Sequence, residues 1–450
     1  MLYLKDVNRD DLSPMMKGYY DVKKEHPNEL VFYQLGDFYE MFFDDAMIAS
    51  SVLELTLTGR DCGLSERAPM CGLPIHAVEN YLTKLVQAGY KVVLISQTSE
   101  PTKNSKELVE RSITKIVTAG TLTDNLDEKK NNYILSVASK KGVIGIAYAD
   151  ITTGKLNMVM ADSVRSFCDT LNRIMPSEII CNGEGKLLEK SIKEVSLSLL
   201  PPFYAYQTPA YEPLRAEKVV KKHFNVNSLK VFDITENDTM GICAVGGLIE
   251  YLNETQRRNL TNINKITVEK PNEYMYIDTN TRKNLEITEN MTTKKKKGSL
   301  IGILDKTQTS MGARLLKNIL DQPSVIEDVI NDRLDAVDEF IQKRQVAESV
   351  TTILSRINDI ERLTGKIGFG SINPADCNTL KNSLIEVNNL RKLLVNTLTA
   401  KNNVKAFSEL QGFEPIISKL DSAICEDAGA NIRNEGGFIK LGYNSELDSF

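Results

Sequence analysis

The spacing of apolar residues changes near residue 239, and that change limits the folds open to this chain. Upstream, short apolar runs alternate with amphipathic stretches. Downstream, apolar residues recur at three- or four-residue intervals, the period of a helix. The upstream pattern is sharpest at 76–96. His76–Ala88 predicts a helix with Val78, Tyr81, Leu82, Leu85 and Val86 on one face, Pro74 just ahead and Gly89 at its end. Lys91–Ser96 (KVVLIS) follows at once as a buried strand. Leu30–Leu35 and Ile113–Val117 read as strands and Asp45–Leu55 as a helix. Residues 1–118 are therefore expected to form a small mixed sheet covered by helices.

A polar stretch, GTLTDNLDEKKNN at 120–132, reads as a linker into a second α/β unit over 119–238. There YILSVA, GVIGIAYADI and KLNMVMA predict strands joined through a turn at Thr153–Gly154, followed by a helix at Arg165–Ile174 and a strand at Glu178–Cys181. From 239 to 450 the reading is helical. Ser310 is a candidate cap, Asn331 opens a helix bearing Leu334, Val337, Phe340 and Ile341, and Asn373–Pro374 pairs a cap with a first-turn proline. The helix after Asn373 carries Leu380, Leu384, Val387, Leu390, Leu394 and Leu398 as a narrow stripe, suited to a strut.

A chain of 450 residues with 42% hydrophobic content has room for about three domains. No apolar stretch is long enough to cross a bilayer, and MLYLKDVNRDD is no signal peptide, so a cytoplasmic location is expected. The seven cysteines (Cys62, Cys71, Cys168, Cys181, Cys243, Cys377, Cys425) include no CxxC pair, which argues against a disulfide framework and a zinc site. Histidines are limited to His26, His76 and His223. The net charge of −5, near −4 for residues 1–115 alone, means that nucleic-acid binding would need local basic stripes rather than the overall field.

One run stands out from this background: FYQLGDFYEMFFDDA at 32–46. A Gly36–Asp37 turn presents Phe38, and Glu40 follows two residues later. A flat ring that can stack on a base, with a carboxyl group two positions away, fits a wedge that probes a duplex. The competing reading makes Phe38 and Phe42 core residues and Glu40, with Asp44–Asp45, helix N-terminal charge.

This run resembles the mismatch-sensing loop of the MutS family of DNA mismatch-repair proteins. The resemblance continues in order through LTLTGRDCG at 55–63, APMCGLPIHAVENYLTKLV at 68–86, IAYADITTG at 146–154, GSLIGILDKTQTSMGARLLKNIL at 298–320 and GGFIKLGYNSELD at 436–448. SQTSEP at 96–101 departs from the glutamate-containing continuation usual at that strand. The fold class implied is multidomain α/β plus all-α: a small mixed-sheet recognition domain, a ribonuclease-H-like connector domain and a helical core or lever domain that stops at the start of the clamp.

The resemblance implies binding of mismatched DNA in DNA repair, with Phe38 stacking on a mispaired base and Glu40 hydrogen-bonding it. Arg60, Lys84, Lys103, Lys106 and Arg111 are the candidate DNA-backbone contacts, and Lys294–Lys297 is a weaker one. Implied partners are duplex DNA with mismatches or small loops, a second copy of the chain and a MutL-type protein, with the nucleoid as location. Family members use ATP and Mg²⁺ through a C-terminal ATPase domain. No GxxxxGK[ST] loop exists in this sequence, and GEGK at 183–186 reads as a surface turn. The chain is thus expected to carry the sensor without cofactor or enzymatic activity. Two other functions stay open. One is a partner-docking fragment built on the helical half. The other is a metal-dependent nuclease on the connector fold, using Asp150 and Asp162.

Overall fold

A computed structural model of the chain describes residues 2–97, 111–195, 200–395, 397–429 and 436–449. In the first domain α1 (Pro14–Glu25) precedes β1 (Leu30–Leu35), β2 (Phe38–Phe42), α2 (Phe43–Leu53), β3 (Thr58–Arg60), β4 (Ala68–Pro74), α3 (Val78–Gln87), β5 (Val92–Gln97) and β6 (Arg111–Val117). The sheet runs β3-β4-β2-β1-β5-β6, with β1 and β5 parallel and the other neighbours antiparallel. Strand alternation sends Leu30, Phe32, Tyr39, Met41 and Leu73 to one face, where Ala46 and Ala49 of α2 and Leu82 and Leu85 of α3 cover them. Val31, Phe42, Val93 and Ile95 point the other way, onto Met16 and Tyr19 of α1.

The second domain contains β7 (Ile134–Lys140), β8 (Val143–Asp150), β9 (Lys155–Ala161), α4 (Val164–Ile174), β10 (Glu178–Cys181), α5 (Gly183–Val195), β11 (Phe203–Ala205), α6 (Pro213–Phe224), α7 (Thr239–Gln256) and β12 (Thr267–Val268). Its sheet order is β11-β10-β7-β8-β9-β12, an antiparallel meander of β7, β8 and β9 extended by parallel β10 and β11. That is the strand order of a ribonuclease-H-like sheet. The sequence assigned everything from 239 onward to the helical part, yet α7 packs in the core of this domain. Cys243, Ala244, Val245, Leu248 and Leu252 lie against Ile134, Ala147, Ala149 and Met158. A helix apolar all round is a buried helix, whatever follows it in the chain. Close approach depends on Gly145, where a Cβ would come 2.0 Å from the Met240 carbonyl carbon. GEGK is no turn either: it forms the first turn of α5, with the Gly185 N–H donating to Asn182 Oδ1 at 2.8 Å.

The helical part comprises α8 (Thr279–Asn284), α9 (Leu300–Leu304), α10 (Ser310–Asp321), α11 (Glu327–Gln342), α12 (Arg344–Leu354), α13 (Ile360–Gly368), α14 (Pro374–Leu394), α15 (Lys401–Ser408) and α16 (Glu414–Ala423). Thr309, not Ser310, caps α10, accepting from the Gly312 N–H at 3.0 Å. Asn373 caps α14 as expected, in a reciprocal box with Asp376. The α14 stripe is shared by two small cores: Leu380 and Leu384 with Leu363, and Leu390 and Leu394 with Phe340, Val350 and Ile353. In α11, Leu334, Val337 and Ile341 are exposed, because the helix is held through Ala336, Glu339 and Phe340 instead.

Polar anchors join the three parts. Glu178 is buried, with Lys91 Nζ of the first domain at 3.0 Å, Tyr251 Oη donating at 2.7 Å and the linker Gly120 N–H donating at 3.2 Å. Arg314 of α10 is fully buried between Asp359 and Glu361, and it donates to the linker carbonyl of Glu128 at 2.7 Å. Among the described residues no helix is long and apolar enough to cross a membrane. All seven cysteines are free thiols, with Cys62, Cys71, Cys168, Cys181 and Cys243 buried. Burial pushes the Cys71 thiol up to about 12.

Candidate nucleic-acid interface

The β1–β2 hairpin turns at Gly36 and Asp37. Gly36 sits at φ +59°, a left-handed backbone that costs least where no Cβ is present. The Ile75 N–H donates to the Asp37 carbonyl at 3.0 Å and ties the turn to the end of β4. Because β2 begins at Phe38, alternation puts Phe38 and Glu40 on one face and Tyr39 and Met41 on the other. Phe38 is 47% exposed, whereas Tyr39 is 6% exposed and holds its hydroxyl 2.9 Å from Ser96 Oγ. Phe42 follows on the face of Phe38 but lies under α1, edge-on to Tyr19 at 5.1 Å between ring centres. Phe32, Tyr39, Phe42 and Phe43 are thus core residues, and Phe38 projects from their midst.

The acids of the run divide in the same way. Asp45 is buried, accepting from Tyr19 Oη at 2.6 Å and the Val31 N–H at 3.0 Å, with Lys23 Nζ at 2.8 Å. Burial pushes its carboxyl up and the Lys23 charge opposes that shift. Asp44 accepts from the Leu4 N–H at 2.9 Å. Neither is a free surface charge. Glu40, on the face of Phe38, is ion-paired with Arg60 Nη1 of β3; the side chains are 14% and 37% exposed, respectively.

Across β1, Tyr33 is the register partner of Glu40, and the Arg111 guanidinium carbon stands 5.3 Å from the centre of its ring. Arg111 Nε also donates to the Gln34 carbonyl at 3.0 Å. Burial pushes the Tyr33 phenol up, and Arg111 pulls it back. Arg60 and Arg111 therefore flank the Phe38–Glu40 row from opposite edges of the sheet. Sequence reasoning does not single out Tyr33, because only strand register brings it beside Glu40.

The other basic candidates lie elsewhere. Lys84 is on the solvent side of α3, its Nζ 5.9 Å from the Tyr81 ring centre, in the layer that covers the opposite face of the sheet. Lys103 and Lys106 fall outside the described residues. The Lys294–Lys297 run is an exposed turn in which Lys296 pairs with Asp305.

The nuclease candidate has different neighbours. Asp150 is buried at the β8–β9 turn, where one carboxylate oxygen accepts from the Thr152 N–H at 2.9 Å and Oγ1 at 2.6 Å and the other from the Asn132 N–H at 3.1 Å. Asp162 is exposed and accepts from Ser163 Oγ at 3.0 Å. Asp150 acts here as a turn anchor. Among the described residues no three His, Cys, Asp or Glu side chains converge as a metal site.

Comparison with known proteins agrees with this architecture. Residues 13–126 match the family model for MutS domain I, 132–264 that for MutS domain II and 280–444 that for MutS domain III. The chain belongs to the MutS family. The domain II match takes in α7, in keeping with its packing. Three curated relatives are each called DNA mismatch repair protein MutS. Those of Acetivibrio thermocellus and Ruminiclostridium cellulolyticum are both 40% identical to this chain, and that of Clostridium botulinum (strain Okra / Type B1) is 39% identical. Each alignment takes in 97% of this chain but only 50%, 50% and 46% of the relative, so the chain spans about half the length of these MutS proteins.

Proposed function

We propose that this chain binds mispaired duplex DNA within mismatch repair, with Phe38 as the wedge and Glu40 as the probe of the displaced base. The observation that carries the reading is the 47% exposure of Phe38 in a run whose other aromatics are buried. Inserting a ring at a base step unstacks it, at a cost of about a few kcal/mol on normal duplex. A mispaired step has already lost part of that stability, so the wedge enters it more cheaply. Ring–base stacking, worth roughly 1–3 kcal/mol, offsets the rest. Discrimination then comes from deformability and needs no sequence code.

An acidic protein needs local cations to hold a phosphate backbone, and the Arg111 guanidinium, beside the Tyr33 ring, supplies one at the edge of the row. A second copy of the chain, a MutL-type protein and the ATP chemistry of the family belong to the same reading as partners of the complete assembly. Gel-shift titration of the chain on one mispaired and one fully paired oligonucleotide tests it. Preferential retention of the mispaired duplex is expected. Equal retention would leave a partner-docking role as the better account.

A further inference from the structure

Glu40 presents a problem that the wedge reading alone leaves open. A carboxylate on a surface that must meet phosphates is repelled by them, and a long side chain loses rotamer freedom when it fixes on a base. Arg60 answers both points. Its guanidinium reaches Glu40 from β3, two strands away in the sheet order β3-β4-β2. Between them, β4 carries Gly72 opposite Glu40, where an added Cβ would come 3.4 Å from Glu40 Cγ. The carboxylate is thus neutralised and held on the face of Phe38 before any DNA arrives. One guanidinium nitrogen serves Glu40, and the fork has further donors to offer.

Resting on the wedge reading, we propose that Arg60 is a positioning residue for Glu40 and so a determinant of mismatch specificity, rather than a pairing-blind phosphate contact. The two roles make different demands. A phosphate contact helps paired and mispaired duplex alike, whatever stands at position 40. A positioning residue matters to the preference only while Glu40 is there to be positioned.

A double-mutant cycle separates them. Fluorescence anisotropy on mispaired and fully paired oligonucleotides gives the preference, the ratio of the two Kd values, for the unsubstituted chain, Arg60→Ala, Glu40→Ala and the double variant. Arg60→Ala is expected to lower the preference about 5-fold, and in the Glu40→Ala background to change it by less than about 2-fold. Arg60→Lys keeps a charge at this site and should restore part of the preference. A uniform loss of affinity on both duplexes, equal in the two backgrounds, overturns the proposal. A misfolded Arg60→Ala shows itself by a lowered melting temperature, and Arg60→Lys then reads the same coupling. Phe38→Ala in the same series keeps the two ideas apart. A preference that needs Phe38 but not the Arg60–Glu40 coupling sinks this inference only, and an unsubstituted chain with no preference sinks both.

Discussion

At the scale of single residues, Glu40 carries the clearest electrostatic consequence. On the proposed reading it has no displaced base to contact on a paired duplex, so the part of its charge that Arg60 leaves unbalanced is repelled by the backbone. Glu40→Ala is predicted to bind fully paired DNA more tightly, by a few-fold, in a direct Kd measurement; weaker binding would count against the probing role. A separate electrostatic site is independent of DNA. Asp305 is largely buried, which pushes its carboxyl up, but Lys296 and the Thr307 hydroxyl and N–H hold it down at about 2. A depressed acid stabilises the fold above its unfolded value of about 3.9, and the contribution is lost as pH falls through about 2. The melting temperature of Asp305→Asn should therefore depend less steeply on pH between about 4 and 2 than that of the unsubstituted chain. Which side chains project was only partly legible in the sequence. Phe38 and Phe42 are both apolar aromatics on one strand face, and only the placement of α1 over Phe42 separates their fates.

At the scale of elements, local signals were read best where one residue settles the outcome. Asn373 before Pro374 marked the start of α14, and the capping box is there. Asn373→Ala should cost about 1 kcal/mol, read as a lower urea midpoint with an unchanged slope. The amphipathic α3 and the buried β5 after it were legible for the same reason: each has an unambiguous period. By contrast, β4 (APMCGLP) holds two prolines and a glycine and gives no strand signal, yet it lies between β3 and β2 in the sheet. The apolar stripe of α11 was visible, but its exposure was not. Period alone does not say which face finds a neighbour, and here Glu339 fastens the helix by accepting from the Thr399 and Ala400 N–H groups at 2.6 and 3.1 Å.

At the scale of the whole molecule, the first domain is attached through buried polar contacts that no linear pattern announces. Arg314 looks like an ordinary helix cation in the sequence, yet it is sealed between Asp359 and Glu361 and clasps the linker at Glu128. Arg314→Met would take the buried guanidinium from Asp359 and Glu361, leaving them Arg362 and Lys155 as partners, at a cost of about 3 kcal/mol, the low end for a broken buried pair. Urea unfolding of that variant should show a midpoint well below that of the unsubstituted chain. The placement of α7 followed the same logic, since its partners lie about 100 residues upstream, on β7 and β8. On the proposed reading, this structure holds one projecting ring, that of Phe38, in front of a duplex. The most direct measurement is the ratio of Kd values of Phe38→Ala for a mispaired and a fully paired duplex. The account predicts that loss of stacking weakens mispaired binding by about 5- to 150-fold and leaves paired binding nearly unchanged, bringing the ratio towards one. A ratio as large as that of the unsubstituted chain would contradict it.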